Sequence, residues 1–119
     1  MKRFAAHYFY SDEHTIIPKA VIELNDDNVV IALFPLTQNS ETAHTLFYNG
    51  VLFSSHLSTT EIFDELISSQ QKDIVDLWQV VAKVAEKVEI GNKVCLILME
   101  GVDLLNKQIT LSVQLKVLS

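Results

Sequence analysis

Apolar and polar residues alternate along the first part of the chain in the manner of β-strands. Residues 3–10 are apolar or aromatic on both alternating faces, which predicts a strand that is covered on both sides. Residues 19–24 and 28–34 predict a hairpin, because the Asn and Asp residues of 25–28 favour a tight turn between them. Pro35 cannot donate to a ladder, so we expect it to end the second of these strands.

The next segments predict a loop and one more strand. Residues 37–44 are mostly polar, which is typical of a loop. Residues 46–53 are apolar again and predict a strand, with a kink where Asn49 and Gly50 interrupt it.

The middle of the chain has helical periodicity, and its start carries two signals. Ser58 precedes Glu61 by three residues, which is the spacing of a capping box, and Leu57 and Ile62 have the spacing of a hydrophobic staple. Residues 68–72 are expected to weaken or bend the helix. The apolar face of this first helix consists of Ile62, Phe63, Leu66 and Ile67.

A second helix is predicted over residues 73–88, because apolar residues recur there at intervals of three and four. Such a stripe is what a helix that lies on a sheet requires, and we expect Trp78 to belong to the core. The stripe consists of Ile74, Leu77, Trp78, Val81, Val84, Ala85 and Val88.

The end of the chain predicts strands once more. Residues 93–100 are apolar on both faces, and residues 109–117 alternate strictly, which indicates a strand with one face in water. We therefore predict an α+β fold, a mostly antiparallel sheet of about six strands with two central helices packed on it.

The whole chain, residues 1–119, is expected to form a single domain. Its predicted parts are a β-rich half over 1–53, a helical insert over 54–88 and a second β-rich half over 89–119.

Charge and cysteine content limit the partners and the compartment. The net charge is −6, and nine scattered Lys and Arg residues offer no basic stripe, so we expect neither nucleic acid nor a membrane as partner. Cys95 is the one cysteine, so no disulfide can form within the chain. We read no signal peptide at the N-terminus and expect a cytoplasmic protein.

Several phrases resemble the amidohydrolase superfamily, especially its cytosine/guanine-deaminase-like members. The phrases "AAHYFY", "PKAVIELNDDNVVIALF" and "FYNGVL" resemble the opening strands of the small β-sandwich in those enzymes, and "VEIGNKVCLILMEGVDL" resembles the return to it. The resemblance implies that residues 1–53 and 88–118 are the two sandwich halves. Residues 54–87 then stand where the family carries its catalytic (β/α)8 barrel.

The resemblance also implies that the metal chemistry of the family is missing here. The family has an H-x-H pair after its crossing strand, whereas this chain has only His56 after Ser54 and Ser55. The other metal ligands of the family lie on the barrel, and a zinc site needs at least three converging ligands. We therefore predict no catalytic, cofactor-binding or metal-binding residues, and the ligand-binding residues stay unassigned.

The remaining polar residues are interpreted as structural. We expect the four histidines, His7, His14, His44 and His56, to be surface residues or core residues with a hydrogen-bond partner. Among them we expect His7, which lies inside an aromatic strand, to be the buried one. Cys95 has apolar neighbours, which predicts a buried and inert thiol.

Two further groups of polar residues are interpreted as structural. Ser54, Ser55 and His56 are adjacent on a strand and would point to opposite faces, so they do not form a nucleophile and base. Glu61, Asp64 and Glu65 share a helical turn and are expected to form a solvated face.

Three functions stay open. The first is a non-catalytic, barrel-less relative of amidohydrolases that acts through protein association, as a homodimer through a sheet edge or helix face or with another protein. The alternative is a small-molecule binding module with an apolar pocket. The third is a small enzyme whose site is assembled between subunits.

Overall fold

The computed structural model describes residues 2–36, 45–73, 76–110 and 112–119. The predicted loop over 37–44, with His44, lies outside this part of the chain. The elements are β1 (Lys2–Asp12), β2 (Thr15–Leu24), β3 (Val30–Pro35), β4 (Thr45–Ser54), α1 (Thr59–Gln71), α2 (Leu77–Val84), β5 (Leu96–Glu100) and β6 (Gln114–Val117).

The six strands form one sheet in the order β3-β2-β1-β4-β5-β6. All neighbouring pairs are antiparallel except β1 and β4, which are parallel. The predicted α+β fold, a mostly antiparallel sheet of about six strands with two helices, is confirmed. The β-rich parts on either side of the helices meet where β4 pairs with β5.

Two tight turns organise the first three strands. The predicted turn between β2 and β3 is confirmed, and the side chain of Asn25 accepts the backbone N–H groups of Asp27 and Val29. The turn between β1 and β2 was missed by the sequence pattern. There the Oδ1 atom of Asp12 accepts the backbone N–H of His14 at 2.7 Å, and this bond lowers the pKa of the Asp12 carboxyl.

The kink predicted at Asn49 and Gly50 is a β-bulge. β4 advances by one more residue than β1 between Tyr48 and Val51, so the register of the parallel pair shifts there. Gly50 passes so close to β5 that a Cβ atom at this position would lie 2.2 Å from the carbonyl oxygen of Met99. Only glycine fits this crossing without a shift of the backbone.

Both faces of the sheet carry apolar cores, because the side chains of β4 and β5 alternate between them. Phe53 and Ile97 face the helices, whereas Leu52 and Leu98 face the opposite side. The helix core contains Tyr10, Val51, Phe53, Ile62, Leu66, Leu77, Val80, Val81, Val84, Ile97, Met99, Ile109 and Val113. The inner core contains Phe4, Ala6, Phe9, Ala20, Ile22, Leu24, Val30, Leu52, Val88, Val94, Leu96 and Leu98.

The inner core is enclosed because the sheet curls. The backbone N–H of Val30 donates to the carbonyl of Asn92, and the N–H of Val94 donates to that of Asn28. These bonds join β3 to the segment that leads into β5, although β3 and β5 are four places apart in the sheet order. Their proximity requires strong curvature of the sheet around the inner core.

The first helix begins as predicted. Ser58 and Glu61 form both hydrogen bonds of a capping box, and α1 ends at Gln71, within the stretch that was expected to weaken it. Ile62 and Leu66 are buried in the helix core.

The second helix is shorter than predicted. It spans Leu77–Val84, and Ala85 leaves the helical conformation with φ −87° and ψ 151°. The cause is tertiary, since the backbone N–H of Glu86 donates to the carbonyl of Ser54 and that of Val88 donates to the carbonyl of Ser11. Val88 therefore enters the inner core instead of continuing the helical stripe, and Ile74 lies outside the described residues.

The two C-terminal strands are also shorter than predicted. The expected strand over 93–100 is β5, which begins at Leu96, and the expected strand over 109–117 is β6, which begins at Gln114. Ile109 and Val113 are buried without being part of a strand. Neither helix of the described chain has the length and apolar character needed to cross a membrane.

We expect Gly50→Ala to lower the free energy of unfolding by about 2–3 kcal/mol, because the added methyl group must displace the backbone of β5. Gly91→Ala is the control, since nothing lies within 4 Å of a Cβ there and only the left-handed φ of 95° is strained. Its expected cost is about 1 kcal/mol. Urea denaturation measures both, and equal losses would contradict the close approach.

Ser58→Ala is expected to lower the free energy of unfolding by about 1 kcal/mol, because the N–H of Glu61 loses its capping oxygen. Thr60→Ala changes a neighbouring exposed residue of the first turn without touching the cap and should change stability by less than about 0.5 kcal/mol. Thermal unfolding followed by circular dichroism distinguishes the two variants. An unchanged Tm for Ser58→Ala would contradict a stabilising role of the cap.

Candidate binding groove

A groove of about 490 Å³ runs between the N-terminal part of α1 and β6. Both apolar and polar residues line it. The groove is lined by Thr59, Thr60, Phe63, Asp64, Val113, Gln114, Leu115 and Lys116.

One wall of the groove is the outward face of α1. The helix buries Ile62 and Leu66 against the sheet, which leaves Phe63 41% exposed and Ile67 42% exposed one turn further along. The four residues were predicted as one apolar face, but only half of that face finds a partner within the described chain. Phe63, from the exposed half, lines the groove.

The other wall is β6, which a short turn positions. Asp103 and Gln108 exchange backbone hydrogen bonds, and the carboxylate of Asp103 accepts the backbone N–H and the side-chain amide of Asn106. These bonds from Asn106 lower the pKa of the Asp103 carboxyl. The side chain of Thr110 donates to the carbonyl of Gly101 and closes the turn before the chain enters β6.

The outer edge of β6 pairs with no further strand of the described chain. Leu118 donates its N–H to the carbonyl of Leu96, so the alternation of an antiparallel ladder turns the N–H and C=O groups of Leu115 and Val117 away from β5. Val117 is 56% exposed. The strand therefore presents both backbone hydrogen-bonding groups and an apolar side chain to the outside.

The charged residues that line the groove are Asp64 and Lys116. Asp64 is exposed and lines the groove, whereas Glu61 belongs to the capping box and Glu65 lies 3.9 Å from Lys83 of α2. The side chain of Lys116 lies 3.0 Å from the carboxylate of Glu100, which offsets its charge. A partner of this surface would meet negative charge beside an apolar floor.

The three histidines that the structure describes, His7, His14 and His56, do not form a common site. The Nδ1 atom of His56 lies 3.1 Å from a carboxylate oxygen of Glu86, and His14 is at an exposed turn. His7 is half-buried, its ring packs edge-on against Phe47, and its Nδ1 atom is buried without a hydrogen-bond partner. Within the ranges that the structure describes, no group of three His, Cys, Asp or Glu side chains could hold a metal ion.

The serines beside His56 have structural partners. The hydroxyl of Ser55 donates to the carbonyl of Val84 at 2.6 Å, which ties the end of β4 to the end of α2. The hydroxyl of Ser54 accepts the backbone N–H of Cys95. Both hydroxyls are thus engaged in holding chain segments together.

The prediction that Cys95 is buried was wrong, because its side chain is exposed. Its neighbours Val94 and Leu96 both belong to the inner core, and the alternation of an extended chain then turns Cys95 outward. Trp78, by contrast, packs against the helix core as expected and makes an edge-on contact with Tyr8.

Comparison with known proteins gives no match to any protein-family model, curated protein or solved structure. The functional interpretation therefore starts from the groove itself. Sequence reasoning missed this groove because the alternation over 109–117 does not reveal that β6 is the last strand of the sheet. The strongest signal for it was the apolar face of α1, which is wider than one sheet contact needs.

We expect the Cys95 thiol to react with Ellman's reagent in the folded protein at a rate within about tenfold of that in 6 M guanidinium, because its side chain is exposed. One thionitrobenzoate anion per chain should be released in both conditions, because one thiol reacts. Protection by more than about a hundredfold in the folded state would show that the thiol is buried in solution.

Proposed function

We propose that the protein is a non-catalytic binding domain that acts through association with another polypeptide chain at the groove. The observation that supports this is the coincidence of three features: the edge of β6, which pairs with no further strand among the described residues, the apolar groove, and the partly exposed ring of Phe63. Edge strands with open hydrogen-bonding groups are a common site of strand addition.

The partner is either a second copy of the chain or a different protein. A homodimer through this edge would continue the sheet and bring the α1 helices of the two copies together. The length of β6, four residues, and the charge of Lys116 suit a selective contact, since short and charged edges resist unspecific pairing.

The second candidate function is binding of a small molecule in the same groove. Its volume of about 490 Å³ lies in the range of ligand sites, and Thr59, Thr60 and Asp64 supply polar groups beside an apolar floor. Thermal-shift measurements with a metabolite panel test this function, and a ligand of that kind should lose its effect in a Phe63→Ser variant.

We also propose that the chain is a barrel-less relative of amidohydrolases that works in the cytoplasm. Support comes from the sequence phrases and from the pairing of β4 (Thr45–Ser54) with β5 (Leu96–Glu100). These two strands lie on either side of the helical insert in the sequence and are neighbours in the sheet. A relationship of this kind favours binding without catalysis, because residues 54–87 stand where the family carries the barrel that holds its metal ligands.

The association is tested with Phe63→Ser and the matched control Ile90→Ser. Ile90 is 66% exposed and lies outside the groove. We expect Phe63→Ser to weaken association by about 30-fold, the effect of losing one hot-spot side chain, while Ile90→Ser leaves it unchanged. The Tm of Ile90→Ser is expected to stay near that of the wild type. That of Phe63→Ser should fall by a few degrees, because more than half of the Phe63 side chain is packed against the protein, and binding is measured at a temperature where both variants are folded.

Two measurements read out the result. Sedimentation equilibrium from 10 to 200 μM reports self-association, and quantitative pull-down from the native host reports other proteins. The proposed groove function would be contradicted if the wild-type protein is a strict monomer and neither substitution changes the set of proteins that it captures.

A further inference from the structure

We propose that the occupant of the groove is an extended segment of a different protein that adds to β6 as a seventh strand. The segment carries a large apolar residue, which contacts Phe63, and a Lys or Arg two positions from it, which contacts Asp64. This inference rests on the proposed function and names the chemistry of the partner.

The backbone of β6 sets the extended conformation of the partner. The outward N–H and C=O groups of Leu115 and Val117 are spaced for a strand that runs alongside. In such a strand every second side chain points to the face where α1 lies. Residues two positions apart in the partner therefore share the groove.

The apolar requirement follows from the floor of the groove. Phe63, Val113 and Leu115 line it, and Phe63 keeps 41% of its surface exposed in the described chain. A large aliphatic or aromatic side chain of the partner would remove this surface from water. The neighbouring Ile67 and Val117 extend the same apolar surface along α1 and β6.

The basic requirement follows from the carboxylate of Asp64 in the groove, and the net charge of the chain argues against a second copy. Asp64 lines the groove, whereas Glu65 lies 3.9 Å from Lys83 of α2 and Lys116 is already paired with Glu100. In a homodimer each copy would bring a net charge of −6 and its own Asp64 to the contact. Like charges that face each other across an interface oppose association, whereas Lys or Arg would complement Asp64.

The test is selection of a phage-displayed library of random nine-residue peptides on the immobilised wild-type protein. We expect enrichment of sequences with a large apolar residue and a Lys or Arg at position i+2 or i−2, free of proline at the pairing positions. The consensus peptide is then synthesised, and its affinity for the protein is measured by fluorescence anisotropy.

Matched variants separate the parts of the inference. Asp64→Lys is expected to weaken the affinity for the peptide by about tenfold or more. Asp27→Lys makes the same change of net charge on the distant turn between β2 and β3 and should change the affinity by less than about twofold. Phe63→Ser should abolish binding. N-methylation of those backbone amides of the peptide that face β6 should also abolish binding. This readout does not depend on the folding of any protein variant.

The outcomes also distinguish the inference from the proposed function. Enriched peptides without a basic residue that still require Phe63 would overturn the inference and leave the proposed function in place. A wild-type dimer that groove-binding peptides do not displace would overturn it in favour of a second copy. No enriched peptide together with a strict monomer would count against both.

Discussion

The pairing of β4 with β5 is the contact on which the rest of the structure depends. It is the ladder that joins the first four strands to the last two, and its side chains contribute to both cores. Gly50 is required at this junction because the backbone of Met99 leaves no room for a side chain. The helices, the inner core and the position of β6 all follow from this one crossing.

The groove is a consequence of how the sheet ends. β3 is hydrogen-bonded through its first residues to the segment before β5, whereas β6 extends beyond this closed part of the sheet. α1 covers only one face of β6, so the edge of the strand and half of the helix face stay open. A domain that stabilises itself through two enclosed cores can thus present a third apolar surface without losing its own stability.

Local signals explain what the sequence predicted correctly. The capping box at Ser58 and Glu61, the turn at Asn25 and the interruption at Asn49 and Gly50 each depend on residues close together in the chain. The features that escaped prediction depend on distant residues. α2 ends early because Glu86 bonds to Ser54, and Cys95 is exposed because both of its neighbours enter the inner core. The groove belongs to this second class, since a strand pattern does not indicate whether a neighbouring strand exists.

The hydrogen bonds between Ser11 and Val88 also determine when the protein can fold. The backbone N–H of Val88 donates to the carbonyl of Ser11, and the hydroxyl of Ser11 donates back to the carbonyl of Val88, across 77 residues of sequence. Contacts of such separation form late, because a long loop must close before they stabilise anything. During synthesis the first four strands leave the ribosome without the segments that complete both cores. The nascent chain therefore exposes apolar strands until β5 has emerged, and its dependence on chaperones should be greatest in that interval.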